Sequence, residues 1–176
     1  MMMGKNSTVA AIMAHPDDEV LGCGGTLARF SRSNASIHIL ILATGLTSRG
    51  PVDELALGAL KKQASLAAGK VGAKTIDFAD FPDNAMDSIP LLKIVKKVEN
   101  FVSKIEPDLV FTHHSGDINI DHDLTQRAVI TAMRSLPNSK QIELLACEIL
   151  SSSEFGPTDK QIKRHLYFRL SEQDVK

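Results

Sequence analysis

The sequence predicts an α/β protein, a Rossmann-like three-layer αβα sandwich around a mostly parallel sheet. Three observations predict it. Short apolar runs at 7–14, 36–43, 108–112 and 142–147 alternate with longer stretches of helical periodicity, and strand–helix alternation defines a parallel sheet covered on both faces. The runs read as buried strands, apolar nearly throughout, as strands covered on both sides are. The two densest polar stretches, 14–19 and 113–122, each follow such a run. They therefore fall at the carboxyl ends of strands, where α/β proteins place their sites.

The elements follow in order. Strand one, 7–14, leads through Ala14-His15-Pro16-Asp17-Asp18-Glu19 into helix one, 18–33. Gly22, Gly24 and Gly25 cost that helix stability, so close approach of its backbone to a ligand or to the sheet is expected. Strand two, 36–43, carries His38, read as a core or edge histidine. The loop 44–51 holds Arg49, either solvated or a clamp for a polar substrate through its fork of donors. Helix two, 54–71, puts Leu57, Leu60, Ala64, Ala67, Ala68 and Val71 on one face and ends at Gly72.

Strand three is 74–78, and 81–87 is a polar loop. Asp87 or Ser88 is expected to cap helix three, with Pro90 in its first turn. That helix presents Leu91, Val95, Val98, Val102 and Ile105 inward and stops at Pro107. Strand four, 108–112, runs into His113-His114-Ser115-Gly116-Asp117-Ile118-Asn119-Ile120-Asp121-His122. Asp121 is expected to cap helix four, which carries Leu124, Ala128, Val129, Ala132 and Met133. Strand five is 142–147, 148–157 is a loop, and 165–170 reads as a last strand.

The whole chain bounds the function classes. At 176 residues it reads as one domain, 1–176, with a single substantial core. With 43% hydrophobic and 23% charged residues it is a folded protein. A formal net charge of -1 gives no reason to expect nucleic acid or an anionic membrane as partner. No apolar run approaches the roughly 18 residues of a membrane span. Cys23 and Cys147 make no disulfide framework. They read as small buried residues in a reducing, cytoplasmic compartment, with a reactive thiol at Cys23 as the alternative.

In the usual doubly wound order 3-2-1-4-5, strands one and four are neighbours at the topological switch point. Geometry thus brings the two histidine–acid stretches together. His15 and Asp18, three residues apart, can close on one divalent metal, and His122 completes a two-His-one-carboxylate set. Three protein ligands with an open fourth position is the catalytic zinc pattern, with iron the competing metal. Asp17, next to a ligand but not needed as one, is placed to take a proton from water. Amide or ester hydrolysis is the expected chemistry. Asp17 and Asp18 as mere helix caps is the competing reading; it leaves the rest of the block unexplained. Asp121 is expected to orient polar groups of the second stretch as well as to cap.

The block Ala14–Glu19, together with Gly116-Asp117-Ile118-Asn119-Ile120-Asp121-His122, resembles the LmbE/PIG-L family of zinc-dependent sugar N-deacetylases. Thr44–Arg49 and Phe81–Asn84 also fall where that family has active-site loops. The resemblance implies one zinc on His15, Asp18 and His122 and Asp17 as general base. It implies Arg49 and Asp83 on sugar hydroxyls, and a small N-acetylglucosamine-type substrate. Two departures stand out. Asn119 occupies the place of the first histidine of a His-x-x-His motif; it can donate to an oxyanion but cannot be a general acid, so His113 and His114 are the substitutes to test. The family also usually continues well past the position of Lys176, so this chain is expected to lack the family's C-terminal part and to show an open cleft. A homo-oligomer is left open. Two other readings compete. One is a relative that keeps fold and metal site without a productive cleft. The other is a nucleotide-binding module, disfavoured because no G-x-G-x-x-G follows strand one.

Overall fold

The computed structural model describes residues 6–46, 48, 50–51, 53–134 and 140–175. Among them lie five strands and four α-helices: β1 Thr8–Met13, α1 Asp18–Arg32, β2 Ser36–Ala43, α2 Glu54–Lys70, β3 Ala73–Phe81, α3 Leu91–Ile105, β4 Leu109–His113, α4 Ile120–Ala132 and β5 Glu143–Cys147. The sheet runs β3-β2-β1-β4-β5, and every pairing is parallel. The α/β class is the one the alternation predicts, and the strand order is the usual doubly wound one expected for it.

The layers follow from the two-residue period of a strand. Val9, Ala11 and Met13 of β1 face Leu27 and Phe30 of α1 and Ala68 of α2. Ala10 and Ile12 face Ile94 and Val98 of α3 and Ala128 and Val129 of α4. Each helix lays its apolar stripe on one face of the sheet. Gly22 serves the approach of α1 to the end of β5: a Cβ there would stand 2.8 Å from Ile149 Cδ1 and 3.0 Å from Cys147 Cβ, whereas Gly25 faces Leu170. Cys23 and Cys147 are free and buried.

Three expectations need correction. Neither Asp87 nor Ser88 caps α3. They lie in a 3-10 turn of their own, Met86–Ser88, and the cap position of α3 is Pro90, with no side-chain cap bond. Met86 is fully buried and pins that turn to the core before α3 begins. Asn119, not Asp121, caps α4: its side chain accepts from the Asp121 N–H. Residues 165–170 are extended but join no strand. Their pattern lacks the alternation of a buried strand, because Phe168 alone among them is not exposed. Phe168 packs edge-on against Phe30, ring centroids 5.3 Å apart, and also meets Phe111. Phe168, with Leu170 against Gly25, holds the segment over α1, and among the described residues β5 pairs only with β4.

Phe168→Ala should therefore destabilise the fold by about 2 kcal/mol. Tyr167→Ala, at a side chain 75% exposed, should stay within about 0.5 kcal/mol. Chemical denaturation of the two variants checks this; equal effects would mean that the anchor is misassigned.

Candidate active site

The site lies beyond the carboxyl ends of β1 and β4. At the end of β1 the chain turns sharply into α1 through Asp17, whose φ is +140°. The Asp17 carbonyl accepts the N–H groups of Val20 and Leu21, at 3.0 and 2.9 Å, so its backbone opens the helix. Its side chain makes no cap hydrogen bond. The buried Glu19 carboxylate accepts the Asp17 N–H at 3.1 Å, and Asp18 Oδ2 accepts the His15 N–H at 2.8 Å.

Three ligand atoms converge there. His15 Nδ1 stands 3.2 Å from His122 Nε2 and 3.4 Å from Asp18 Oδ2, and His122 Nε2 stands 3.3 Å from Asp18 Oδ2. Ligands each about 2.0–2.1 Å from one centre at tetrahedral angles are about 3.3 Å apart. The spacing of the triangle therefore suits a single metal ion, and these three residues, which line the cleft, could hold it. The far nitrogen of each histidine meets carboxylate. His122 Nδ1 is 3.0 Å from Asp117 Oδ2, and His15 Nε2 is 3.1 Å from Asp121 Oδ2 and 3.2 Å from Asp83 Oδ1.

Electrostatics point the same way. Burial favours the neutral form of His15, but hydrogen bonds to Asp121 and Asp18 outweigh it and raise its pKa. Burial likewise opposes charge on His122, and Asp117 and Asp18 raise it. Burial pushes Asp18 up, yet hydrogen bonds from His122 and His15 hold its carboxyl well below the usual range. Two imidazolium ions 3.2 Å apart would repel, which opposes the charging of both rings. His113 is the exception: burial and the neighbouring His122 lower it to about 3.

The predicted residues fall as follows. His15, Asp17, Asp18 and His122 line one cleft of about 390 Å3, with Ser48, Asp83, Asn84 and Asn119 on its walls. Asp83 is buried; its Oδ2 accepts from the Ser48 N–H at 3.1 Å and from Ser48 Oγ at 2.5 Å, and its Oδ1 accepts from Asn84 Nδ2 at 3.1 Å. Asn119 donates from Nδ2 to Asn84 Oδ1 at 3.0 Å while Oδ1 caps α4. Asp121, fully buried, accepts the N–H groups of Asn84 at 2.7 Å and Met86 at 3.0 Å. His113 is enclosed, its ring stacked 3.9 Å from that of His122 and its Nε2 accepting the Ala14 N–H at 2.8 Å. His114 is not among the cleft residues: its Nε2 is 2.6 Å from the Lys160 carbonyl, and it lines a separate groove beside Cys147 and Tyr167. Arg49 lies outside the described residues.

Sequence reasoning gave no role to Glu19 or Asp117, although both sit inside the two polar stretches. It also missed Ser152 and Ser153. Their hydroxyls reach Asp117, and nothing in a serine-rich loop 30 positions beyond His122 signals that in sequence.

Residues 10–133 match the family model described as PIG-L: GlcNAc-PI de-N-acetylase. The chain belongs to this family. It is 32% identical over 139 residues to the uncharacterized deacetylase YaiS of Escherichia coli (strain K12), covering 76% of this chain and 71% of that protein. It is 23% identical over 158 residues to a probable N-acetyl-alpha-D-glucosaminyl L-malate deacetylase 2 of Bacillus anthracis, covering 85% and 70%. The N,N'-diacetylchitobiose deacetylase of Pyrococcus horikoshii, solved with its inhibitor MPG, shares the fold with a TM-score of 0.69 at 21% identity, covering 82% of this chain and 61% of that one. The chain thus spans less than two thirds of that structure. No helix among the described residues is long and apolar enough to cross a membrane.

Asp121 links three loops, so its loss should be felt in the fold itself. Asp121→Ala leaves the buried Met86 N–H and the Asn84 N–H without their carboxylate acceptor and should cost about 2–3 kcal/mol. Denaturation of the metal-free variant measures it; unchanged stability would mean that the carboxylate acts on His15 alone.

Proposed function

We propose that the chain is a zinc-dependent hydrolase that removes the N-acetyl group from an N-acetylglucosamine-type amino sugar or its conjugate. The observation that carries this reading is the ligand triangle of His15, Asp18 and His122 with the Asp17 carboxylate beside it at the cleft. Bound there, zinc would supply polarisation of the amide carbonyl and activation of water. Family membership and the names of the relatives support an N-acetyl substrate.

The chain's own residues then divide the work. Asp17 takes the proton of the attacking water. Burial pushes its carboxyl up, and the adjacent Asp18 adds to that, which makes it a stronger base. Water adds to the acetyl carbon and the C–N bond breaks. Asp17 hands its proton to the leaving nitrogen, giving acetate and a free amine. His113 is enclosed and His114 lies off the cleft, so neither is assigned that proton. Asn119 offers its amide to the developing oxyanion. Ser48 and Asn84 face the cleft as partners for sugar hydroxyls, with Arg49 proposed beside them, while Asp83 holds His15 and Ser48 in place.

Amine release from N-acetylglucosamine derivatives, with and without chelator, tests the reading. Turnover should need metal; absence of turnover across the panel with zinc bound would leave a relative that keeps the site without the reaction. His122→Ala should lose metal and activity together, and full zinc occupancy in that variant would remove His122 from the set.

Asp17→Asn should bind zinc normally and lose about 10²- to 10⁴-fold in kcat. If it instead loses the metal while Asp18→Asn keeps it, the roles of the two carboxylates are reversed.

A further inference from the structure

We propose that Ser152 and Ser153 are positioning residues that set the metal affinity of His122 through Asp117, so that the segment after β5 completes the metal centre. This inference rests on the metal reading above.

Both hydroxyls donate to one atom. Ser152 Oγ and Ser153 Oγ each lie 2.8 Å from Asp117 Oδ2, the oxygen that faces His122 Nδ1 at 3.0 Å. The other oxygen, Oδ1, accepts the Asn119 N–H at 2.9 Å. Asp117 is 7%, Ser152 7% and Ser153 1% exposed, so these bonds are largely shielded from water. A carboxylate so held can only accept from His122, which keeps the proton on Nδ1 and turns the Nε2 lone pair to Asp18 and His15. Ser152 Oγ also stands 3.3 Å from His122 Nδ1, bracing the ring from the same side. Carboxylates behind a ligating histidine fix its tautomer and raise its basicity; here two serines fix the carboxylate.

The serines are themselves held. A tight turn runs from Ile149, whose carbonyl accepts the Ser152 and Ser153 N–H groups at 3.0 and 2.8 Å. Ser153 Oγ accepts the Ile149 N–H at 2.9 Å, so its own proton is left for Asp117. Ile149 is 1% exposed and anchors the turn in the core. Further on, the segment lies directly on the loop that carries Asp117. A Cβ on Gly156 would overlap the Gly116 carbonyl oxygen, and one on Gly116 would overlap the Lys160 carbonyl oxygen. Residues 149–160 lie beyond the residues 10–133 that the family model matches.

The experiment compares zinc affinity, by competition with a chromophoric chelator, in the full chain and in Ser152→Ala, Ser153→Ala, the double alanine variant and Ser152→Thr. Thermal unfolding of each metal-free form is recorded alongside. The double variant should bind zinc at least about tenfold more weakly, and Ser152→Thr, which keeps the hydroxyl, should bind like the parent. If the hydroxyls merely tie down the segment, the melting temperature falls and zinc affinity stays at the parental value, which overturns the inference while the metal reading stands. If the double variant does not fold, Ser152→Ala alone decides on the same readout. If the parent chain binds no zinc, the metal reading fails and this inference with it.

Discussion

Everything at the site depends on the parallel pairing of β1 with β4. Val9 faces Leu109, Ala10 faces Val110 and Ala11 faces Phe111, and the two strands end nearly level. In a doubly wound sheet the connections diverge at this pair, one to each side, and leave a crevice. The polar stretches that follow the two strands have nowhere else to go. His15 and His122, 107 positions apart, meet at 3.2 Å because of that register. A slip of one residue would turn every apolar side chain of β1 to the wrong layer, so core and site are fixed by the same constraint.

The crevice gathers more carboxylate than a buried site tolerates without a counter-charge. Asp18, Asp83, Asp117 and Asp121 are each under 10% exposed, and all four touch His15 or His122. Unpaired buried charge is costly, and two imidazoles pressed together cannot both carry it. A divalent ion held as proposed by the near nitrogens and Asp18 would relieve both conflicts, with the other carboxylates on the far nitrogens. This arrangement makes the outer carboxylates as consequential as the three ligand atoms, because each also organises a loop: Asp83 takes Ser48, Asp121 takes Asn84 and Met86, and Asp117 takes the serines after β5.

Much of this was legible in the sequence, for physical reasons. Buried strands are short apolar runs between helical periods, so the layers could be read from alternation, and the strand order from the usual doubly wound arrangement. A histidine and carboxylates at the ends of two strands could be read as one site because topology joins them. What depended on local rivalry was not legible. Asn119 and Asp121 are both good caps by type; the burial of Asp121 under two backbone N–H groups decided for Asn119. Residues 165–170 have strand-like composition, but Phe168 found an aromatic pocket over α1 instead of the sheet edge. Ser152 and Ser153 carry no pattern at all, because their role is defined by the position of Asp117, 35 and 36 residues earlier.

The turn at Asp17 keeps a carboxylate out of the helix cap. An aspartate at a helix N-cap normally sits in extended backbone and turns its side chain to the N–H groups of the first turn. Asp53, at φ -73° before α2, does so, with its carboxylate accepting the Leu55 N–H. Asp17 is held at φ +140°, a conformation that costs a non-glycine residue about 1–3 kcal/mol. Its carbonyl still opens the helix, but its carboxylate is swung away from the first turn and toward the cleft. Glu19 makes this tenable by accepting the Asp17 N–H from beneath, and that placement has its own cost. The Glu19 carboxyl is fully buried, pushed up to about 7 by that burial, and its Oε1 has no hydrogen-bond partner. A chain selected for stability alone would relax both groups by letting Asp17 cap the helix. The strain persists, and it leaves the Asp17 carboxylate free of the helix for the base role proposed above.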